Sequence, residues 1–524
     1  MTRVHGFLFA AMLLASAGFH QPVDYDNTKS RYMLLGALVD EGRLSIDSHQ
    51  QYTIDKAFFN GHYYTVKAIG LPFIAAPVYW LLRRCVLGNL ASLPDPTILA
   101  DPSAKYLVRV AVVSLPFAFL GLILLRVLIA MGAPPRNALW SVLAYAFGTI
   151  ALNHAALFSG HQTAAFFLFS SFAILFLESR GGGPNDLRGL LWGLAAGLSA
   201  GCAVLCEYSL LPCALVLAGY ALSAPISARA KGAFAVGAAL CALALAIYNR
   251  ACTGSFLTMS YAGFAFAPLR EGTAQGVFGI SRPSLDALFG ELLSPARGLL
   301  FISPVLLFAA AGLSFMRRRA ALRREFVAIC LIVGSMVALY AGYFGWHGGW
   351  GFGPRYLVPV LPFLAVPMAL AADGGPWFQL AFWPSVLQVA CAQAGWPHAA
   401  PEIRNPLAEF IIPLMREGGY ALTLLGGMRP IAAAVGIAQL CVVALLAGLA
   451  LRGLSKPRAR RLSWRWRAMI AAWSAAVALC LLFVRTPDAA AVHRYRGIVL
   501  NDAAKSLQSQ ELARAARAET LEGR

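Results

Sequence analysis

The chain has 524 residues, of which 59% are hydrophobic and only 13% are charged. Soluble domains carry about 25% charged residues, so this composition excludes an ordinary water-soluble protein and predicts one embedded in a membrane. The formal net charge of +19 does not indicate nucleic-acid binding, because basic residues beside apolar segments are the usual determinant of membrane orientation.

The N-terminal segment allows two interpretations. Arg3, the apolar run 4–18 and the small residues at 15–17 resemble a secretory signal peptide. The alternative is an uncleaved first transmembrane helix, which we favour because it would hold the polar segment from Gln21 onward at the membrane surface. Both interpretations place the chain after Phe19 on the outside.

Twelve long apolar segments follow, separated by Gly, Pro or charged residues as helix ends should be. A bilayer needs about 20 apolar residues per helical crossing, so each is predicted to span the membrane. They are residues 107–131, 137–153, 162–178, 187–205, 208–223, 232–248, 299–316, 326–344, 356–372, 377–393, 431–451 and 468–484.

A shorter segment, 69–82, determines the topology of everything after it. The dense basic clusters at 317–324 and 456–467 should be cytoplasmic, which requires that 69–82 does not cross the bilayer. We therefore predict an interfacial or re-entrant helix here, although Arg83 and Arg84 then lie outside. The predicted fold is an all-α polytopic transmembrane bundle of about 13 spans, counting the N-terminal helix.

This topology places the polar chemistry on the outer face. Residues 31–43 alternate apolar and charged side chains at helical spacing, which predicts an amphipathic helix on the membrane surface. Glu207 is the main ionisable residue near the spans, and its position at a helix junction fits a helix end. We predict a catalytic transmembrane domain over 1–484 and a polar tail over 485–524. The outward loops are 20–106, 154–161, 249–298, 345–355 and 394–430.

Three stretches resemble GT-C glycosyltransferases, most closely the bacterial relatives of protein O-mannosyltransferases and of the lipid A aminoarabinose transferase. They are the first outward loop with GHYYTVKAIGLP at 61–72, SPARGLLFISPVLL at 294–307 and GWGFGPRYLVPVLPFLA at 349–365. The family's Tyr-x-x-Lys-Pro-Pro step keeps Tyr64 and Lys67 here, but Ala68 and Ile69 replace the prolines. The resemblance covers roughly residues 20–370.

The resemblance implies transfer of a sugar from a polyprenyl-phosphate carrier to a glycan, lipid or protein acceptor, with inversion, at the outer face of the bacterial inner membrane. Such a reaction needs a carboxylate to take the acceptor's proton and cations to hold the leaving phosphate. Asp26 is the expected base and Asp24 the alternative, and both could instead cap the following helix. The spacing of five residues from Asp26 to Arg31 is longer than the family's spacing from the acid to Arg-Tyr. The position of the base could therefore differ by one or two residues.

Lys67 is expected to bind the carrier phosphate, with Tyr64 donating a hydrogen bond beside it. Arg355 follows a glycine-rich turn and can fork two bonds to phosphate oxygens, and Arg297 is a weaker candidate for the same role. Each of these cations could instead be an interfacial anchor. Further candidates on the same side are His62, Asp55, His161 and His347, and Asp55 with Lys56 could be a structural ion pair or could orient the acceptor.

No metal or other cofactor is predicted, because the histidines lack carboxylates at ligand spacing. A transporter or flippase of a lipid-linked sugar is the main rival function, and a non-enzymatic membrane scaffold is a third. Transporters place ionisable residues within their spans, which this sequence does not. The membrane glycosyltransferase is therefore the favoured function.

Overall fold

A computed structural model of the chain describes residues 2–20, 24–85, 97–181, 186–417, 422–423, 429–452, 454 and 462–501. It is predominantly helical, as the predicted all-α class requires. The helices are α1 Thr2–Ala17, α2 Asp26–Asp40, α3 Gly70–Cys85, α4 Pro102–Arg109, α5 Leu115–Ala130, α6 Pro135–Phe147, α7 Ala151–Ala155, α8 Gly160–Glu178, α9 Asp186–Cys206, α10 Leu211–Ser223, α11 Ala228–Thr253, α12 Ala267–Thr273, α13 Leu285–Leu292, α14 Leu299–Ile302, α15 Leu307–Met316, α16 Arg323–Ala341, α17 Leu361–Met368, α18 Pro376–Ala394, α19 Ile412–Arg416, α20 Arg429–Arg452, α21 Trp464–Phe483 and α22 489–501. The strands are β1 Phe19–His20, β2 Lys56–Phe59, β3 His62–Thr65 and β4 Leu422–Thr423.

All twelve predicted apolar segments are helical. Within the described part of the chain, six helices are long and apolar enough to cross a membrane by length and composition: Pro102–Ala130, Gly160–Glu178, Leu187–Cys206, Ala228–Thr253, Ala320–Ala341 and Trp464–Phe483. Three predicted spans contain 3₁₀ turns, Tyr208–Leu210, Pro304–Leu306 and Arg355–Val360. Proline has no N–H for the helical ladder, so these spans are shorter α-helices than their hydropathy suggests. The count of 13 spans stays a prediction.

The core is built by helices that approach one another closely. In α9, a Cβ on Gly193 or Gly197 would lie 2.2 Å from the Ala230 carbonyl oxygen or 2.0 Å from that of Phe234, so only glycine permits this distance to α11. Small residues at such positions are the usual means by which membrane helices pack backbone to backbone.

Helix α1 is an integral part of the packed bundle. Leu8 and Met12 are fully buried, and the helix packs against α5 and α20. The retention of residues 2–17 as a transmembrane helix stays a prediction.

The contacts of α2 show that α3 and α4 begin at the same end of the bundle. Arg31 of α2 donates to Glu207. The next residue, Tyr208, accepts at its hydroxyl from Ile69 N at 3.3 Å, so α3 begins beside Glu207. Tyr32, which follows Arg31 in α2, donates from its hydroxyl to the Lys105 carbonyl at 3.1 Å, just after α4 begins. The chain thus enters α3 and α4 at the same end of the bundle, which supports the prediction that 69–82 does not cross.

Helix α3 is amphipathic. Leu71 and Tyr79 are fully buried and Ile74 is partly buried, whereas Phe73 and Trp80 are 42% and 48% exposed. One face therefore packs on the bundle and the other is free to contact lipid.

Helix α2 differs from its prediction as a surface helix. All residues from 30 to 37 are buried, and Arg31 is only 1% exposed. The charged side chain that was expected to face the headgroups is instead paired with Glu207 inside the protein. The alternation of apolar and charged residues predicted the helix correctly but not the environment of its charge.

The opposite end of the bundle carries basic side chains that bind helix ends. Arg324 donates to the Ser223 carbonyl at 3.0 Å, and Arg136 donates to the Leu454 carbonyl at 3.2 Å. Both contacts join segments that the topology places in the cytoplasm. Residues 455–461 of the second predicted basic cluster lie outside the described residues.

A β-hairpin in the first outward loop was not predicted. Strands β2 and β3 pair antiparallel from Lys56 with Thr65 to Phe59 with His62. Asn60 and Gly61 form the turn with φ of 52° and 86°. Asn-Gly is the usual pair for such a turn, because both positions need a positive φ.

Helix α22 lies in the predicted polar tail and packs on the outer loops. The Tyr495 ring is 5.5 Å from the Trp350 ring, and Arg496 pairs with Glu417 at 3.0 Å. This contact places the start of the tail beside the predicted outward loop 345–355. Residues 502–524, including the rest of the predicted helical tail, lie outside the described part.

Candidate active site

A buried polar cluster occupies the end of the bundle at which the outward loops meet, and Glu207 is its central carboxylate. Arg31 Nη2 and His161 Nδ1 lie 2.9 and 3.3 Å from Glu207 Oε1. A Cβ on Gly160, the first residue of α8, would lie only 2.5 Å from the same oxygen. The carboxylate therefore sits at the N-terminus of α8, where the helix dipole favours a negative charge.

Glu207 is enclosed but not isolated, with its side chain 13% exposed. It lies in the junction after α9, outside either helix. Burial raises the pKa of its carboxyl, and the charges of Arg31, Arg355 and Lys67 oppose that shift. Three cations from separate segments thus act on one carboxylate.

A second ion pair joins Lys67 to Asp55, with Nζ and Oδ2 2.9 Å apart. Ser30 of α2 donates to the Asp55 carbonyl at 2.7 Å and contacts the Thr65 hydroxyl at 2.6 Å. Thr65 Oγ1 in turn accepts from the Lys67 backbone N–H at 3.0 Å. Helix α2 therefore fixes the hairpin end that carries both charges.

Asp55 pairs with Lys67 and not with Lys56, the partner that the sequence suggested. An ion pair with the adjacent Lys56 was one of the two predicted possibilities. Lys56 instead donates to the Gln50 carbonyl at 2.7 Å, and Asp55 pairs with Lys67. Adjacent strand residues face opposite sides, so the sequence neighbours could not meet.

Arg355 is the cation of the cluster that has no carboxylate partner among the described residues. Its guanidinium lies 5.1 Å from the centre of the Tyr356 ring, and Nη2 makes one long contact of 3.4 Å with the Tyr356 hydroxyl. Its Nε is buried without a hydrogen-bond partner. The charges of Asp55 and Glu207 act on it from nearby, so the predicted residues Lys67, Asp55, His161 and Arg355 come together.

The two candidate bases have different environments. Asp24 pairs with Lys105 at 2.7 Å. Asp26 accepts a hydrogen bond from Ile54 N at 3.0 Å and has no ion pair with any described residue. Neither carboxylate caps α2, because the cap position of this helix has no side-chain hydrogen bond.

Arg297 has a structural role that the prediction of phosphate binding did not include. It is 2% exposed. Its guanidinium donates to the carbonyl oxygens of Gly349 at 2.7 Å, of Ala399 at 2.9 Å and of Gly351. The side chain holds three backbone segments together, so we do not carry it into the site.

Three other candidates make no hydrogen bond or ion pair with the side chains of the cluster in the described structure. Tyr64 lies on the opposite side of the strand from Thr65 and packs with Met33 and Tyr248. It was predicted to donate a hydrogen bond beside Lys67, and its position in this apolar cluster differs from that prediction. His62 is exposed and contacts Asp47 at 2.7 Å. His347 is half-buried on the glycine-rich loop, where burial and the charges of Arg297 and Arg355 lower its pKa.

An aromatic and histidine group adjoins the cluster, and the sequence did not single it out. The Tyr25 ring lies 4.4 Å from the His398 ring and stacks at 5.9 Å on Trp350. Trp396 Nε1 donates to the Tyr25 hydroxyl at 2.7 Å. His154 lies 5.5 Å from the ring of His161 and so links this group to Glu207.

The sequence also did not assign Glu207 or Arg31 to the site. Glu207 is a carboxylate between two apolar runs, a position that is expensive unless the charge is paired, and this was the available signal. Arg31 lies on a helix whose other residues nearby are apolar, so its burial could have been suspected. Neither signal names the partner, which only the fold supplies.

No family model matches the sequence, and no characterised protein matches it at significant similarity. The fold is similar to that of ArnT from Cupriavidus metallidurans bound to undecaprenyl phosphate, with 14% identity, a TM-score of 0.43 and coverage of 86% of this chain and 77% of that one. The apo state of ArnT gives 15% identity, a TM-score of 0.41 and coverage of 89% and 75%. The fold is also similar to that of the archaeal oligosaccharyltransferase AglB from Archaeoglobus fulgidus, in complex with an inhibitory peptide and a dolichol-phosphate. The identity is 15%, the TM-score is 0.44, and the match covers 86% of this chain and 56% of that one.

Proposed function

We propose that this chain is an integral membrane glycosyltransferase that moves a monosaccharide from a polyprenyl-phosphate carrier to a glycan, lipid or protein acceptor. The observation that carries the proposal is the environment of Arg355. Its guanidinium is enclosed, lacks a carboxylate partner within the described ranges and has an unsatisfied Nε. Arg355 is partly buried, and a phosphate would supply both an ionic partner and hydrogen-bond acceptors for its unused donors.

The carrier phosphate would lie between Arg355 and Lys67. Lys67 already contacts Asp55 but keeps further N–H donors, since an ammonium has three. As the glycosidic bond breaks, negative charge grows on the phosphate, and these fixed cations stabilise it. The polyprenyl tail would run along the exposed face of α3, where Phe73 and Trp80 are accessible.

Asp26 is the proposed base. The acceptor oxygen forms a bond to the anomeric carbon, the bond from that carbon to the phosphate oxygen breaks, and the acceptor's proton passes to Asp26. Asp24 is less suited because Lys105 neutralises it, whereas Asp26 is ionically unpaired among the residues described. The step as proposed uses side-chain cations and no metal ion or other cofactor.

The test is binding of a fluorescent polyprenyl phosphate to the purified protein in lipid nanodiscs. Arg355→Ala should bind the lipid much more weakly than the wild type. Arg404→Ala is the matched control, because Arg404 is exposed in a predicted outward loop and outside the cluster. Equal affinity for all three proteins would remove Arg355 from the site and with it the support for a phosphate-linked donor.

A second experiment separates transfer from transport. Mass spectrometry of surface glycans and lipids in a strain that lacks the protein should show one missing sugar. A flippase of lipid-linked sugars could also produce that loss. Formation of a glycosylated product by protein in detergent micelles, which have no second compartment, would distinguish the enzyme from the flippase.

A further inference from the structure

We propose that Tyr25, His154, Trp350 and His398 form the subsite for the transferred sugar, and that this subsite selects an uncharged sugar ring. The inference rests on the proposed function and deepens it by naming the class of donor sugar. None of these four residues is needed for the argument that a carrier phosphate binds at Arg355.

The four side chains come from separate predicted outward segments: Trp350 and His398 contact Tyr25, and His154 is close enough to His398 for the charge of that ring to act on it. Its ring is 4.4 Å from that of His398 and is stacked at 5.9 Å on Trp350. The segments that carry Trp350 and His398 are joined by a backbone bridge between Gly351 and Ala399. The aromatic rings thus have fixed positions, as a platform for the C–H face of a sugar ring requires.

The two histidines have hydrogen-bonding capacity that the protein leaves unused. His154 is 5% exposed and His398 is 9% exposed, and the Nδ1 atom of each is buried with no partner in the described structure. Buried polar atoms without partners are rare, because their lost hydration is not compensated. Sugar hydroxyls would satisfy both nitrogens.

The position of the group suits the sugar of a lipid-linked donor. The charge of Arg355 acts on both His154 and His398, so the group adjoins the proposed phosphate site. Tyr25 is the residue directly before Asp26, the proposed base. A sugar held here would have its anomeric carbon between the leaving phosphate and the base.

The charges around the group favour a neutral sugar. Burial and the charge of Arg355 lower the pKa of each histidine to about 3, so both are uncharged at physiological pH. The nearby carboxylates of Asp24, Asp55 and Glu207 are each paired with a cation. Glu402, whose charge acts on Arg297 and His347, is exposed to solvent. The proposed base is then the carboxylate left to bind an amino sugar inside the group.

An acidic sugar lacks a suitable cation as well. Arg297 is committed to three backbone carbonyls, and Arg355 is assigned to the phosphate. A carboxylate on the sugar would therefore be buried without a partner, at a high cost in free energy. Hydroxyl groups are the substituents that this environment can satisfy.

The experiment measures binding to the full chain in nanodiscs. The probes are polyprenyl phosphate alone and the same lipid carrying an uncharged hexose (glucose, galactose or mannose), an amino sugar or glucuronic acid. We expect at least one neutral hexose to bind ten-fold or more tightly than the bare lipid, and neither charged sugar to do so. His154→Phe and His398→Phe keep a ring but remove the nitrogens, and each should abolish the hexose advantage while affinity for the bare lipid stays unchanged.

The outcomes separate this inference from the proposed function. If the wild type binds none of the lipids, the proposed function fails. If it binds the bare lipid but no neutral hexose gains affinity, or if both Phe variants keep the gain, the subsite is wrong and the phosphate site stands. Tighter binding of a charged sugar overturns the selectivity. His62→Phe is the control for an exposed histidine, and His398→Asn replaces any Phe variant that loses its monodisperse size-exclusion peak.

Discussion

Two arginines at the end of the bundle that carries the candidate site have opposite environments. Arg297 donates to three backbone carbonyls and is sealed from solvent. Arg355 makes one long contact with Tyr356 and leaves its Nε unsatisfied. A buried cation whose donors are used holds the chain in place, whereas one with unused donors is available to a ligand. The same contrast separates Asp24, which is paired, from Asp26.

The largest expected effect concerns the two aspartates. Asp26→Asn keeps the shape and the acceptor for Ile54 N but removes the base, so turnover should fall about 10²- to 10⁴-fold while donor binding survives. Asp24→Asn should change turnover much less, because Lys105 already neutralises that carboxylate. The measurement is the rate of sugar transfer by each variant. If only Asp24→Asn is inactive, the assignment is off by two residues; if both variants are active, the base lies elsewhere, with Asp55 the next candidate.

Arg297→Ala should cost stability and not function. The variant leaves carbonyls of Gly349, Gly351 and Ala399 without their donor, and each such loss costs roughly 1–3 kcal/mol. We expect a clearly lower melting temperature in detergent and an unchanged affinity for polyprenyl phosphate in the fraction that stays folded. A variant as stable as the wild type would show that the three hydrogen bonds are dispensable and would end the contrast with Arg355.

Arg355→Ala should have the reverse pattern. A charge-assisted hydrogen bond contributes roughly 1.5–3 kcal/mol, which corresponds to a loss of affinity for polyprenyl phosphate of about ten- to more than hundred-fold. The melting temperature should change little, because the guanidinium makes one long hydrogen bond and has no carboxylate ion pair among the described residues. Arg355→Lys should recover only part of the affinity, since an ammonium cannot fork two bonds to one phosphate. Full recovery by lysine would mean that charge alone matters there.

The smallest expected effect concerns Glu291, a buried carboxyl group that stays protonated, in contrast to the charged arginines. Glu291 of α13 is 1% exposed, its Oε2 has no partner in the described structure, and burial raises its pKa to about 8. Between its usual pKa and about 8 the folded protein holds a proton that the unfolded chain releases, so this group makes stability fall as pH rises through that range. Melting temperatures at pH 5 and pH 8 should therefore differ more for the wild type than for Glu291→Gln. Equal differences would show that Glu291 does not titrate in this way.

Hydropathy and charge predicted the helices well because burial in lipid depends on the apolar character of whole segments. They did not predict the hairpin, although Asn60-Gly61 between two aromatic pairs is a strong local signal for one. In a chain dominated by apolar helices, the period-two pattern of only four residues per strand was too short to stand out.

The site was predicted in part. Lys67, Asp55, His161 and Arg355 follow from their place in outward loops and do come together. Tyr64 was misplaced because the alternation of a strand, unknown beforehand, turns it to the apolar side.

The partners of charged residues required the fold. Arg297 and Arg355 have the same chemistry in the sequence, and only the neighbouring carbonyls distinguish them. Glu207 and Arg31 lie 176 positions apart in the chain, so neither predicts the other. Local sequence patterns indicate where a helix or strand forms, but the pairing of distant side chains depends on tertiary structure.

The short ladder between β1 and β4 has a consequence for biosynthesis. Phe19 and His20 pair with Thr423 and Leu422, and α1 packs against α20, about 400 residues later in the chain. At about 5–20 residues per second, the ribosome needs roughly 20–80 s to supply that partner. During this interval α1 can rest only against the helices already made, the lipid or the insertion machinery. Helix α1 therefore completes its packing only after α20 has been made, and a chain truncated before residue 422 would leave the α20-facing side of α1 uncovered.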